Sequence, residues 1–126
     1  MSKITIKSIA EVKPYSGEGA IPGIRFKAMR QELGVSAWGM NVIEIDPHNE
    51  GYPEHDHVED GQEEVYLIVS GSASLVLPDG SHPVSEGQMI RVEPSLKRKF
   101  VTQQSAVVIL AIGAKPGEAY TPPAWG

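Results

Sequence analysis

The stretch from His55 to Gly71, HDHVEDGQEEVYLIVSG, carries the strongest information about fold and site. If residues 55–57 are extended, side chains alternate in direction, and His55 and His57 project to the same side. If the strand that begins at Glu64 pairs antiparallel beside them, its carboxylate reaches the space in front of both imidazoles. Two imidazoles and one carboxylate suit Fe(II), Mn(II), Zn(II) or Ni(II). The stretch alone leaves two interpretations open, a metal site and a solvated His-x-His pair in an acidic loop, and a single pair of histidines is more often the latter.

Length and composition narrow the class of protein. A chain of 126 residues that is 40% hydrophobic fits one soluble domain, 1–126, with its own core. It contains no cysteine, so disulfides and thiolate ligands are excluded. A net charge of −5 argues against nucleic acid as a partner, and the basic cluster KRK at 97–99 is too short to change that. No apolar run approaches the roughly 20 residues of a membrane span, and no signal sequence is recognisable, so we expect a cytoplasmic protein.

Short β-branched runs between closely spaced glycines and prolines predict an all-β domain. The predicted strands are Ile4–Ile9, Ala37–Ile45, Glu64–Val69, Ala73–Leu77, Met89–Val92, Lys99–Thr102 and Ala106–Ile112. One short helix is predicted over Phe26–Leu33, ending at Gly34. Asp79-Gly80 predicts a tight hairpin. The Pro-rich tail from Ala114 is expected to lie over the surface.

The spacing His-x-His, followed by Glu64 and then by Gly71 at the end of the apolar run, resembles the first motif of the cupin superfamily. The segment DGSHPVSEGQMIRVEPSLKRKF at 79–100 resembles the second motif, with Gly87 matching its first glycine. The resemblance to small single-domain cupins implies a double-stranded β-helix, or jelly-roll barrel, with its core at about 36–113. It implies that His55, His57 and Glu64 bind a divalent transition metal. Gly71 and Gly87 fall where strands reverse and φ is expected to be positive.

The first motif departs from the family pattern in two ways. Asn49 stands where the motif usually begins with glycine, although Asn also tolerates a left-handed conformation. The loop of six residues between His57 and Glu64 is longer than usual and leaves Glu63 as a rival ligand. His48, in the turn before the histidine pair, is a reserve ligand.

In the second motif, Arg98 occupies the place of the third histidine, and no other histidine is in register. His82 follows the hairpin and is expected at the surface. An inward-facing Arg98 lies close to Glu64, and two arrangements are open. Either a metal is bound and Arg98 turns away from it or orients an anionic substrate, or Arg98 and Glu64 form a bidentate ion pair in a metal-free pocket. A shift of the strand register would instead point Arg98 to solvent.

Other positions give weaker signals. Tyr66 shares a strand face with Glu64 and is predicted to bind ligand through its hydroxyl, although an aromatic residue in a strand is more often part of the core. Four large side chains are expected to fill the barrel: Trp38, Met40, Met89 and Phe100. No arrangement of nucleophile and base is visible, which argues against a serine hydrolase.

The sequence thus predicts a cupin barrel that binds a divalent metal (Zn, Mn, Ni or Fe) and a small polar or anionic molecule. If it is an enzyme, metal-dependent oxygenase, isomerase and decarboxylase chemistries all fit, and the residues that would carry the reaction are unknown. The alternative is a metal-free binding or sensor barrel. The N-terminal strand and the tail leave peripheral open edges, so we expect a homodimer.

Overall fold

The computed structural model describes residues 3–123. Within this range, seven strands accompany one short α-helix and one 3-10 turn. The strands are β1 Ile24–Lys27, β2 Gly39–Ile45, β3 Glu63–Leu77, β4 Gly80–Ser85, β5 Met89–Val92, β6 Lys99–Val101 and β7 Val107–Ala114, the helix is α1 Met29–Leu33 and the turn is Ile9–Glu11.

Strand β3 organises the fold because both halves of the barrel use it. Its first half pairs antiparallel with β7 and β5, and its second half pairs with β4 and β6. The register against β7 shifts between Ile68 and Ser70, and Gly71 has a φ of 76°. The bend lets one strand of 15 residues serve two faces of a jelly-roll barrel. The two strands predicted at Glu64–Val69 and Ala73–Leu77 are therefore one bent strand.

The barrel interior is filled by alternate residues of these strands. In β7, Val107, Ile109 and Ala111 are buried while their neighbours are partly exposed. Fully burying an aliphatic or aromatic side chain stabilises the fold by roughly 1.5–3 kcal/mol. A second, smaller cluster of Val12, Met29 and Val42 packs α1 onto the outer face of β2.

The predicted strand Ile4–Ile9 is wrong. Residues 4–8 form no regular structure, and Ile9 begins the 3-10 turn. Ile4 and Ile6 are 67% and 81% exposed. Their apolar alternation satisfies a strand pattern, but alternation alone does not make a segment a strand.

The helix predicted from Phe26 begins too early. Phe26 lies in β1, where it pairs with Ile43 of β2, and α1 starts only at Met29. Tertiary pairing thus overrides the local helix propensity. The predicted end is confirmed, since Gly34 caps the helix with a left-handed φ of 80°.

Smaller differences concern a turn and two side chains. The hairpin turn lies at Pro78-Asp79, one residue before the predicted position, and Leu77 pairs with Gly80 across it. Phe100 is buried as predicted, but Met89 is 70% exposed and Trp38 is also exposed, so neither fills the barrel.

The tail lies against the barrel near β2. The Tyr120 hydroxyl occupies space that a Cβ atom at Gly39 would need, 2.7 Å from that position. The end of the predicted tail, 124–126, lies outside the described residues. No helix within 3–123 is long and apolar enough to cross a membrane.

Candidate metal and ligand site

The histidine segment is held by the residues between β5 and β6, which include Arg98. His55 and Arg98 exchange two backbone hydrogen bonds, of 3.1 and 2.9 Å, and the His57 N–H donates to the carbonyl of Pro94 at 2.7 Å. Glu64 instead pairs with Val92 of β5 and with β7. The predicted pairing of the Glu64 strand beside the histidines is therefore wrong.

His55, His57 and Glu64 nevertheless converge. One candidate ligand atom from each lies within 4.8 Å of the others, and this is the only such group of three acidic or imidazole side chains in residues 3–123. His55 Nε2 lies 3.6 Å and His57 Nε2 lies 3.0 Å from Glu64 Oε1. The predicted donor set is thus brought together from two different segments.

Hydrogen bonds at the far side of each ring determine which imidazole nitrogen is available. His57 Nδ1 lies 3.0 and 3.1 Å from the carboxylate oxygens of Asp60, and His55 Nδ1 lies 3.0 Å from the carbonyl oxygen of Pro53. These oxygens only accept, so each Nδ1 carries the proton and donates it. In neutral imidazoles, both Nε2 lone pairs then face Glu64 Oε1. The lone pairs and the carboxylate oxygen repel one another, and a cation or an added proton between them removes this repulsion.

Glu64 is the centre of the cluster, with its side chain 13% exposed. Its Oε1 atom accepts hydrogen bonds from the Tyr66 hydroxyl at 2.6 Å and from Arg98 Nη1 at 3.1 Å. Burial alone would raise the pKa of Glu64, but polar contacts with His55, His57 and Tyr66 hold it well below the usual range of a carboxyl. Glu64 is therefore ionised.

Two phenols border the cluster. Burial and the neighbouring charge of Glu64 raise the pKa of Tyr52 above the usual range of a phenol. Burial also raises the pKa of Tyr66, whose hydroxyl donates to Glu64. Both phenols are neutral, so Tyr66 acts as a donor that fixes the carboxylate.

Arg98 is fully buried, which excludes the solvent-facing interpretation. Nη1 donates to Glu64, Nη2 donates to the carbonyl oxygen of Glu93 at 2.6 Å, and Nε has no hydrogen-bond partner among the described residues. The ion pair with Glu64 therefore uses one nitrogen and is not the bidentate pair considered from the sequence. The carbonyl oxygen of Glu93 was not predicted as a partner of Arg98. Every residue carries a backbone carbonyl, so the residue type does not show which one accepts the hydrogen bond.

A cavity of about 460 Å³ opens in front of the cluster. Its polar end is formed by Tyr52, His55, His57 and Glu64. Its remaining walls come from the N-terminal segment and from inward-facing strand residues: Tyr15, Glu18, Gly19, Ala20, Ile21, Ile24, Phe26, Asn41, Ile43, Pro53 and Ala111. Arg98 and Tyr66, both predicted to contact ligand, lie behind Glu64 and do not line this cavity.

The sequence did not identify Asn41 or the N-terminal residues between 15 and 24 as part of a cavity. The segment at 15–24 contains little regular structure and no motif. Asn41 did give a signal, because alternation along MNVIEI places it on the same inward face as Ile43 and Ile45. A polar residue among inward-facing apolar ones is the pattern that would have identified it.

The structure does not bring the reserve residues to the cluster. His48 lies beside a separate cavity of about 640 Å³, lined largely by serine and glutamine side chains. It also adopts the left-handed conformation, with a φ of 55°, that was considered for Asn49. Glu63 faces away from the cluster and accepts a hydrogen bond from Arg91 Nε at 2.6 Å.

No protein-family model matches this sequence. A search of curated proteins likewise finds no match. Solved structures do match it in fold. A cupin protein from Bacteroides fragilis aligns with a TM-score of 0.71 at 20% identity, covering 96% of this chain and 93% of its own.

Two further neighbours have named or predicted activities. A sugar phosphate isomerase of the cupin superfamily from Silicibacter pomeroyi gives a TM-score of 0.75 at 19% identity, covering 88% of this chain and 76% of that one. A predicted oxalate decarboxylase from Thermotoga maritima gives 0.70 at 14% identity, covering 88% and 99%. At these identities the likeness concerns the fold. The chain has the cupin fold that its motifs implied.

Proposed function

We propose that this protein binds a divalent transition metal through His55, His57 and Glu64, and binds a small anionic molecule at the same end of the cavity. The observation that carries the proposal is the orientation of the two imidazoles. Both Nδ1 atoms donate to fixed acceptors, so both Nε2 lone pairs are directed at one carboxylate oxygen. Zn(II), Mn(II), Ni(II) and Fe(II) all accept this set of nitrogen and oxygen ligands.

The local charge favours an anionic ligand. Arg98 already balances the charge of Glu64, and Asp60 adds one negative charge behind His57. A dication would leave the cluster with net positive charge. When bound, the metal would supply Lewis-acid polarisation of a ligand oxygen. The names of two structural neighbours refer to sugar phosphate and oxalate, which are anions, and this supports the proposal. Isomerase, decarboxylase and oxygenase chemistries are all compatible with it.

The second candidate is a metal-free binding or sensor barrel. The contact of 3.1 Å between Arg98 Nη1 and Glu64 Oε1 favours it, because the buried carboxylate already has a cationic partner. In that state a protonated His57 donates to Glu64, and this hydrogen bond raises the pKa of His57. The positive charge of His57 would then attract an anion to the cavity.

Metal titration separates the two candidates. We expect the wild-type protein to bind one equivalent of metal, measured by elemental analysis and by calorimetry with each of the four ions. His57→Ala should weaken binding at least about tenfold, because it removes a ligand. His82→Ala is the matched control, since the His82 side chain is half-exposed in the β4 hairpin and contacts Asp79 Oδ1 at 2.9 Å, away from the cluster.

A folded wild-type sample that takes up none of the four ions would contradict the metal proposal and favour the metal-free barrel. Equal loss of affinity in His57→Ala and His82→Ala would also contradict the assigned ligands. Homodimer assembly and a cytoplasmic location remain predictions from the sequence.

A further inference from the structure

The cavity in front of the cluster has a charged residue on its wall as well as at its polar end. Glu18 and Tyr15, both in the N-terminal segment, line the cavity and are exposed to solvent. The Glu18 carboxylate has no hydrogen-bond or ion-pair partner among residues 3–123. Glu18 therefore adds a negative charge that no neighbouring side chain balances, and this charge is accessible to a molecule that enters the cavity.

Contacts within the N-terminal segment fix the backbone of Glu18 at this wall. The Tyr15 N–H donates to the carbonyl oxygen of Phe26 in β1 at 2.8 Å, and the Tyr15 hydroxyl donates to the carbonyl oxygen of Glu18 at 2.7 Å. The Ala20 N–H donates to the Gly17 carbonyl oxygen at 3.2 Å. A Cβ atom at Gly17 would lie 2.5 Å from the Tyr15 hydroxyl oxygen, so the ring lies against this glycine. The segment is thus a compact turn attached to the edge of the barrel.

The charges around the cavity fit a ligand with opposite charges at its two ends. The cluster end attracts an acid group, either through a bound metal or, in the metal-free candidate, through His57. No lysine or arginine is among the described residues that line the cavity, and Arg98 is buried behind Glu64. A second acid group would therefore meet no cationic side chain on the walls and would be repelled by Glu18, whereas an ammonium group would be attracted to it.

We propose that the ligand of this cavity is a small zwitterion, with its carboxylate at the cluster of His55, His57 and Glu64 and its ammonium group directed to Glu18. Glu18 is then a residue that determines specificity, because it favours a cationic far end over a neutral or an acidic one. Water and salt screen an exposed carboxylate, so the preference is severalfold. The placement of the ligand carboxylate rests on the proposed function, whereas the charge preference at Glu18 does not require a bound metal.

Three acids of equal chain length test this preference: 5-aminopentanoate, pentanoate and glutarate. Their affinities are measured by NMR chemical-shift titration of the full chain, with and without Zn(II). We expect the wild type to bind 5-aminopentanoate about three- to fivefold more tightly than pentanoate, and to bind glutarate more weakly than pentanoate. Adding about 0.5 M NaCl should reduce the first ratio, because salt screens exposed charges.

Variants of Glu18 assign the preference to this residue. Glu18→Gln should bring the ratio of 5-aminopentanoate to pentanoate affinity to about one, and Glu18→Lys should make glutarate the most tightly bound of the three acids. Glu86→Gln is the matched control, because it changes the net charge as Glu18→Gln does, but Glu86 is exposed between β4 and β5 and does not line the cavity. Its ratio should equal that of the wild type.

A wild type that does not prefer 5-aminopentanoate to pentanoate would overturn the inference, and so would a wild type that binds none of the three acids. A ratio that Glu18→Gln leaves unchanged, or that Glu86→Gln lowers equally, would overturn the role of Glu18. Uptake of Zn(II) is measured separately, so the metal proposal survives each of these results. Conversely, a Glu18-dependent ratio in a protein that binds no Zn(II) would support this inference while contradicting the metal site.

Discussion

Glu64 Oε1 receives the Tyr66 hydroxyl and Arg98 Nη1, and it also faces both imidazoles. Arg98 depends on this oxygen, because its guanidinium is fully buried and cannot lose its proton. Removing the carboxylate charge would leave that cation, among the residues that the structure describes, with only the neutral carbonyl of Glu93 as a further partner. The cluster therefore contributes to the stability of the fold.

We predict that Glu64→Gln lowers the free energy of unfolding by about 3–5 kcal/mol, the usual cost of leaving a buried charge without its partner. Glu63→Gln is the control on the adjacent residue, because Glu63 and Arg91 form a pair exposed to solvent. Its effect should stay below about 1 kcal/mol. Urea unfolding of the three proteins measures both values, and equal stability of the two variants would contradict the prediction.

At the scale of the strands, the bend in β3 depends on Gly71. A Cβ atom at this position would overlap the carbonyl oxygen of Ala106, and the φ of 76° disfavours other residues. Gly87 has a similar φ of 87°, but within residues 3–123 no atom beyond its two chain neighbours lies within 4 Å of where its Cβ would be.

We predict that Gly87→Ala costs about 1–2 kcal/mol, the penalty of the left-handed conformation alone. Gly71→Ala should cost several kcal/mol more, because the backbone of β7 must also move. Thermal and urea unfolding give the comparison. Similar losses in the two variants would show that β3 tolerates a side chain at its bend.

The pairing of β1 and β2 carries its own ion cluster. Lys27 is 5% exposed, and its Nζ lies 2.9 Å from the Ile9 carbonyl oxygen and 3.3 Å from Glu44 Oε1. Burial would raise the pKa of Glu44, but hydrogen bonds from Arg25 and Lys27 lower it overall. Because the folded pKa lies below the unfolded value, Glu44 stabilises the fold above pH about 4.5, and this stabilisation is lost as the pH falls through the folded pKa.

We predict that Glu44→Gln destabilises the protein by about 1–3 kcal/mol at pH 7. The difference from wild type should shrink as the pH falls below about 4.5, since wild-type Glu44 then becomes protonated as well. Urea unfolding at pH 7, 5, 4 and 3 measures this. A difference that stays constant over the series would exclude Glu44 as the titrating group.

At the scale of the whole molecule, the N-terminal segment leaves two large apolar side chains in water. Ile4 and Ile6 are exposed, and β1 lies at the outer edge of its sheet. Contact with a second copy would cover both features.

We predict a homodimer at micromolar concentration, measured by sedimentation velocity, that Ile6→Asp converts to monomer. Met89→Asp is the control, because Met89 is similarly exposed but lies on β5. A monomeric wild type would contradict the prediction. Dissociation of both variants would show that the N-terminal segment is not the interface.

The fold and the convergence of His55, His57 and Glu64 could be predicted because both depend on residue type at fixed spacing. One continuous stretch contains His55, His57, Glu64 and Gly71, and the residue types alone determine the chemistry of their side chains. The pairing of His55 with Arg98 could not be predicted, since it depends on which distant backbone meets the histidine segment. The false strand at Ile4–Ile9 has the same cause. Alternation describes one strand alone, whereas a sheet requires a partner.

Several hydrogen bonds join residues that are far apart in the sequence, and this affects the rate of folding. Arg98 and Glu64 are 34 residues apart, and Thr102 reaches Asp46 across 56. Chains dominated by such distant pairings lose the conformational entropy of large loops before the stabilising contacts form. They therefore fold slowly, in milliseconds to seconds. Because the histidines and Glu64 depend on these late pairings, we expect an ion that binds only the finished cluster to leave the refolding rate unchanged. Its effect should instead be to prolong the lifetime of the native state by slowing unfolding.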